Sequence, residues 1–156
     1  MNRFTLRNVT AADLEGITSL FRETILSVNS RDYNAEQVKV WSAGANNKER
    51  WLKKIGEQYF ICCETRKKIA GFASIEKNGY LDFLYIHKRF QGMGLASLLV
   101  TDLETYAFKN NIRLINSDVS ITAKKFFRQR GYKIMQEQKV EINGVDLTNF
   151  RMEKII

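Results

Sequence analysis

Gly92 and Gly94 lie in the run Gln91-Gly92-Met93-Gly94-Leu95-Ala96-Ser97, directly before an apolar helical repeat of Leu95, Leu98, Leu99, Leu103, Tyr106 and Ala107. The first turn of a helix has backbone N–H groups without intrahelical partners, and its dipole favours negative charge. Small residues at 92, 94 and 96 let those amides approach a bulky anion, which suits a phosphate. A nucleoside-triphosphate loop needs Lys and then Ser or Thr directly after its last glycine, and Leu95 stands there instead. A dinucleotide fingerprint needs a third glycine where Ser97 stands. Asp118 lies at a suitable distance for a ribose contact, but His87 to Gln91 separate the glycines from the preceding strand, and no repeated βαβ units follow.

Two titratable groups precede the turn. Asp82 sits in the apolar run Tyr80-Leu81-Asp82-Phe83-Leu84-Tyr85-Ile86, where a carboxylate needs a partner. His87 follows that run and has an imidazole that titrates near neutrality. Each is a candidate general base; the plain alternatives are a solvated Asp beside a turn and a surface His at a loop entry. Cys62 and Cys63 are neighbours in a strand pattern, so they point to opposite faces and are read as reduced core residues rather than a disulfide. With one His and two adjacent Cys, no metal-ligand spacing exists, and no metal is expected.

Gln91-x-x-Gly94-x-Ala96, after a strand ending Leu84-Tyr85-Ile86-His87, resembles the acyl-CoA-binding motif of the GNAT superfamily of N-acetyltransferases, Gln/Arg-x-x-Gly-x-Gly/Ala. The family usually has Pro where Lys88 stands. A second stretch, Ser120-x-x-Ala123-x-x-x-Phe127-x-x-x-Gly131-Tyr132, resembles the family's Asn-x-x-Ala-x-x-x-Tyr-x-x-x-Gly-Phe helix, with Ser for Asn and Phe127 for the Tyr that often serves as general acid. The order of elements agrees from about Phe4 to Ile156.

The resemblance implies transfer of an acetyl group from acetyl-CoA, a co-substrate, to an amine of a small molecule or peptide. Backbone groups of Leu84, Tyr85 and Ile86 would hold the pantetheine arm and polarise the thioester. The amides of Gln91, Gly92, Met93, Gly94, Leu95 and Ala96 would hold the pyrophosphate. Ser97, Lys124, Ser120 and Phe127 would complete the cofactor wall. Asp82 or His87 would serve as base. Water, Tyr33 or Ser120 would stand in for the missing acid, because a Phe cannot donate a proton. Tyr33, Trp41 and Trp51 fall where the resemblance puts a substrate-facing loop. The alternative is a binding module without catalysis, either a degenerate acyl-CoA-binding fold or a basic nucleic-acid-binding domain.

These residues need elements to position them. Phe4 to Val9 alternates as a first strand. Thr10-Ala11-Ala12-Asp13 has capping-box spacing, and Leu14, Ile17, Leu20, Phe21, Ile25 and Val28 form one apolar helical face. A second helix follows an Asn34 cap and a third spans Lys48 to Ile55. Strands are expected over Tyr59–Cys63, Ile69–Ile75 and Tyr80–Ile86, joined by turns at Arg66-Lys67-Lys68 and Lys77-Asn78-Gly79. After the Leu95 helix, Arg113 to Ser117 is read as a strand parallel to 80–86 because it follows a crossover. Ile121–Arg130 reads as a last helix closed by Gly131, and Tyr132–Ile142 with Val145–Met152 as a hairpin around Asn143-Gly144. The expectation is an α/β single domain over 1–156 with the acyl-CoA N-acyltransferase fold. It has a mixed, mostly antiparallel sheet with a central parallel pair, flanked by helices. The resemblance implies that this pair splays apart.

The chain has 156 residues, 44% apolar and 27% charged, which fits a globular domain rather than a disordered chain. No apolar run approaches the ~20 residues of a membrane span, and the stretch from Met1 to Thr5 lacks a leader's apolar region, so a cytoplasmic location without a membrane partner is expected. The net charge of +8 suits an acidic ligand such as CoA, but the basic residues are dispersed, so nucleic acid is not expected as a partner. The expected partner is a small-molecule amine, and a homodimer is left open.

Overall fold

The computed structural model describes residues 3–156. Met1 and Asn2, part of the stretch read for a leader, lie outside the described residues. The first antiparallel sheet consists of β1 (Thr5–Asn8), β2 (Tyr59–Thr65), β3 (Lys68–Ile75) and β4 (Leu81–Ile86), in that order. Along β2 the two cysteines part as expected: Cys63 joins the cluster under α4 (Leu95–Lys109), and Cys62 the cluster on the opposite face. Burial pushes the Cys62 thiol up to about 12 and that of Cys63 to about 11, so both are unreactive core residues.

Helices α1 (Leu14–Ser27), α2 (Ala35–Ser42) and α3 (Lys48–Glu57) cover one face of this sheet, and α4 covers the other. Asn34 caps α2: its Oδ1 accepts from the Gln37 N–H, and Gln37 Oε1 accepts from the Asn34 N–H, both at 2.9 Å. Before α1, Asp13 Oδ2 accepts from the Thr10 N–H at 2.8 Å, and Asp13 also pairs with Arg7 at 2.9 Å. On α4, Leu99, Val100, Leu103 and Ala107 are fully buried, so the apolar repeat that follows the glycine turn is what docks the helix.

The second sheet contains β5 (Leu114–Ser120), β6 (Lys133–Ile142) and β7 (Val145–Ile155) in the order β5-β7-β6. Asn143 and Gly144 turn the β6–β7 hairpin with φ of 48° and 79°. The short helix α5 (Lys124–Gln129) precedes it. This helix starts three residues later than expected, because β5 stays paired with β7 as far as Ser120, which faces Asn149. Gly131, at φ 93°, ends it, with the Tyr132 N–H bonded to the Phe127 carbonyl at 3.0 Å.

The expected parallel pairing of 80–86 with 113–117 is reduced to a single bridge, Tyr80 to Asn116. At that corner the Asn116 N–H donates to the Gly79 carbonyl at 3.1 Å, and a Cβ on Gly79 would come within 2.4 Å of the Leu114 carbonyl, so only glycine fits. Beyond the corner two devices end the pairing. Ser117 Oγ donates to the Leu81 carbonyl at 2.8 Å, and Asp82 is an extra residue in β4, between the pairs Leu81–Ile75 and Phe83–Ser74. Such a bulge bends its strand. The two sheets therefore share a corner and diverge, which is the splay the resemblance implies. Among the described residues no helix is long and apolar enough to cross a membrane.

Candidate active site

The wedge between β4 and β5 opens into a cavity of about 350 Å³. The His87 N–H donates to the Ala70 carbonyl at 2.8 Å, and alternation along the antiparallel ladder then turns the peptide groups of Leu84 and Ile86 away from β3, into the wedge. There the Ile86 carbonyl accepts from Gln91 Nε2 at 2.6 Å and from Thr24 Oγ1 at 3.3 Å. Gln91 thus ties the start of the glycine turn to the end of β4. Tyr85 has the opposite orientation. Its backbone pairs with Phe72, and its ring packs against Phe21 and Phe72, with centroids 4.9 and 5.6 Å away. The expected backbone contribution therefore comes from Leu84 and Ile86, while Tyr85 contributes a side chain.

Gly92 and Gly94 line the same cavity with φ of 72° and 81°. A Cβ built at either would meet no heavy atom within 4 Å, so packing inside the protein does not require glycine at these positions. The left-handed backbone and the free space in front of it form a cradle for an approaching group, at the head of a long helix. Leu95, Ala96 and Ser97 continue this wall, and Ser117, Val119, Ser120, Phe126 and Phe127 form the facing one. A thin, anionic, amide-bearing molecule such as acetyl-CoA fits this combination of edge peptide groups and phosphate turn.

A second cavity, of about 390 Å³, lies on the other face, between α1–α3 and the β6–β7 hairpin. Trp41, Asp82, Tyr85, Asp118 and Ser120 line both cavities, so the two meet there. The Asp82 carboxylate is part-buried. Its Oδ2 accepts from Lys54 Nζ at 2.7 Å and Gln58 Nε2 at 2.8 Å, and no protein group among the described residues bonds Oδ1. Asp118 is committed: Oδ1 takes Gln138 Nε2 at 2.6 Å and Arg151 Nε at 3.0 Å, and Oδ2 takes the Tyr80 hydroxyl at 3.0 Å. Burial raises the Tyr85 phenol above its ordinary range, so it is a neutral hydroxyl at the junction. Asn149 also lines the second cavity, with its Oδ1 sealed from solvent and unpartnered. Among the described residues no group of three His, Cys, Asp or Glu side chains is arranged to hold a metal.

Four sequence candidates bring no free acid or base to this junction, although Tyr33 lines the second cavity and packs against Trp41 with centroids 5.2 Å apart. His87 lines neither cavity; its Nδ1 accepts from the Arg89 N–H at 3.1 Å and its Nε2 lies 3.3 Å from Glu23 Oε2, so it caps a 3-10 turn and pairs with α1. The Tyr33 hydroxyl donates to the Thr148 carbonyl at 2.6 Å and accepts from the Ile121 N–H at 2.9 Å. It cross-links α5's approach to the hairpin and has no proton left to give. The Lys124 ammonium sits 4.4 Å from the centre of the Phe150 ring, outside the cavity lining, and the Met93 side chain is exposed. Residues that sequence reasoning missed include Thr24, Arg50, Asn149 and the side chain of Tyr85. The alternation of Val140 and Ile142 across from Val145 and Leu147 signals an apolar hairpin face, but nothing local says that this face closes a cavity.

A family model for the GNAT acetyltransferase domain matches residues 29–154. The chain belongs to the GNAT acetyltransferases. Over 152 residues it is 28% identical to the uncharacterized N-acetyltransferase YafP of Escherichia coli, covering 97% of this chain and 96% of that protein. The structure of a GCN5-related N-acetyltransferase from Rhodopseudomonas palustris is 28% identical and superposes with a TM-score of 0.96, covering 100% of this chain and 98% of the other. PaiA N-acetyltransferase from Thermoplasma acidophilum, solved in complex with coenzyme A, is 19% identical, covers both chains fully and has a TM-score of 0.82, which establishes the shared fold. This GNAT acetyltransferase is an enzyme that transfers an acetyl group from acetyl-CoA to an amine.

Proposed function

We propose that the acceptor is a small-molecule amine bound in the second cavity, and that Asp82 accepts its proton. The supporting observation is the meeting of two cavities, on opposite faces of the β4–β5 wedge, at a carboxylate with one oxygen anchored and the other without a protein partner. An amine attacks only as its neutral form, so a fixed acceptor oxygen at the junction serves the chemistry directly. Lys54 and Gln58 hold the carboxylate in one orientation, as a positioned base requires.

Leu84, Ile86 and the turn from Gln91 to Ser97 would hold acetyl-CoA, which supplies the activated acetyl group as a thioester. The cleft-facing N–H groups of β4 are the donors available to polarise a carbonyl beside them. Overall, one amine N–H is replaced by an N–acetyl bond and the thioester becomes a thiol. Ser120 Oγ accepts from the Ala123 N–H at 3.1 Å, which leaves its own proton uncommitted, and Ser120 and Tyr85 both line the junction. Either hydroxyl would protonate the departing thiolate, a role Phe127 has no group to fill. The test is an amine panel with thiol detection, run beside thermal denaturation with and without acetyl-CoA. A melting shift with thiol release on at least one amine is expected; no shift at millimolar acetyl-CoA would sink the cofactor assignment.

A further inference from the structure

The acceptor cavity has an aromatic wall: Trp51 stacks on Phe83 with centroids 4.6 Å apart and 17° between planes, and Phe21 closes edge-on at 5.0 Å. Its volume of about 390 Å³ suits one aromatic ring system. Three charged residues line it, Arg50, Asp82 and Asp118. The two carboxylates alone would suggest a polycationic amine, but Asp82 is paired with Lys54 at 2.7 Å and Asp118 with Arg151 at 3.0 Å. Arg50 has no carboxylate partner among the described residues. Arg50 is exposed, so of the three lining charges it alone stands at the solvent-facing edge of the cavity and is open to an anionic group. Building on the acetyl-transfer reading above, we propose that the acceptor is a flat apolar amine that carries an acidic group, with the acid at Arg50 and the amine at Asp82.

The spacing supports this pairing of ends. Arg50 precedes Lys54 by four residues on α3, so the two share a helix face about 5–6 Å apart. Lys54 reaches the Asp82 carboxylate, and Arg50 sits one turn away along the same face. A guanidinium presents a planar fork that matches a carboxylate, which an exposed ammonium does not. Occupancy by a single anion would complete the cavity's charges without breaking either existing ion pair.

The test compares acid-bearing amines with their neutral counterparts by thiol release: L-phenylalanine with phenethylamine, L-tryptophan with tryptamine, para-aminobenzoate with aniline, and spermidine as the polycation. We expect kcat/KM to favour the acid-bearing member of at least one pair by about 10-fold or more, the scale of a charge-assisted contact. Arg50→Gln should erase that preference while the melting shift with acetyl-CoA persists. Equal or better turnover of the neutral amines or spermidine overturns the proposal, as does a preference that survives in Arg50→Gln. Silence from all seven amines with the acetyl-CoA shift intact overturns the acceptor class alone. Silence together with loss of that shift brings down the transfer reading as well.

Discussion

The two cavities that meet at Asp82 are made of different material. The side proposed for the cofactor offers backbone groups for recognition: the cleft-facing peptides of Leu84 and Ile86, and a turn whose glycines have free space where side chains would stand. The side proposed for the acceptor gathers side chains from α1, α2, α3, β4 and the β6–β7 hairpin. Under the proposed assignment, backbone recognition would answer to features every CoA molecule has, and one short contiguous motif would serve it. Side-chain recognition answers to a particular amine and can be changed one residue at a time. The contrast also explains how the chain tolerates Phe127. That ring is almost fully buried and packs edge-on against Tyr132, with centroids 5.0 Å apart, so it serves as wall and not as chemistry.

The largest effect should come from Gly94→Val. Its φ of 81° is strained for a β-branched residue, and the new side chain fills the cradle. Acetyl-CoA at 100 times its dissociation constant should stabilise the wild type by about 2.7 kcal/mol, and the variant should show no such melting shift and no activity. A wild-type shift in this variant would mean that the turn is merely structural.

Asp82→Asn should act on the other half. Turnover should fall by about 10²–10⁴-fold, the worth of a positioned base, while the melting shift with acetyl-CoA is unchanged. A variant that keeps its turnover would dismiss Asp82 as base and blur the division between the halves.

Tyr33→Phe removes a hydroxyl that bridges Ile121 and Thr148. The expected cost is about 1–3 kcal/mol of stability, because a buried N–H and a carbonyl lose their partner. Turnover per folded enzyme should fall little; a large fall at unchanged stability would restore Tyr33 as the proton donor.

Acid should loosen the cofactor side. Burial pushes the Glu104 carboxyl up, but bonds from Lys154, Arg130 and Tyr132 outweigh it and hold the group below its ordinary 4.5. A depressed carboxyl contributes stability that is fully present above 4.5 and is lost as pH falls through the folded value. Glu104 joins α4 to β7 through Lys154 and to the end of α5 through Arg130. In Glu104→Gln, denaturation measured below pH 4.5 should therefore show a smaller further loss than in the wild type. Phe127→Tyr should change least, leaving turnover within about twofold, since the groups proposed for catalysis are already at the junction.

Much of this enzyme was legible in its residues. Helical spacing after Gly94, the apolar runs of β2, β3 and β4 between turns, and the turns at Gly79, Gly131 and Asn143-Gly144 are local patterns, and each element lies where its pattern puts it. The glycine turn belongs to the same class, because a phosphate cradle at a helix head is a contiguous backbone motif. Tertiary structure decided the rest. Asp82, His87 and Tyr33 were equal candidates by type. Only the bulge that excludes Asp82 from the β3 ladder, the Glu23–His87 contact and the Ile121–Tyr33–Thr148 bridge separate a carboxylate with an uncommitted oxygen from two groups already engaged. Arg50, Trp51, Asn149 and Leu147 come together from segments about a hundred residues apart, and no local periodicity records that convergence. A backbone motif is written in consecutive residues; a side-chain pocket exists only once the sheets have closed around it.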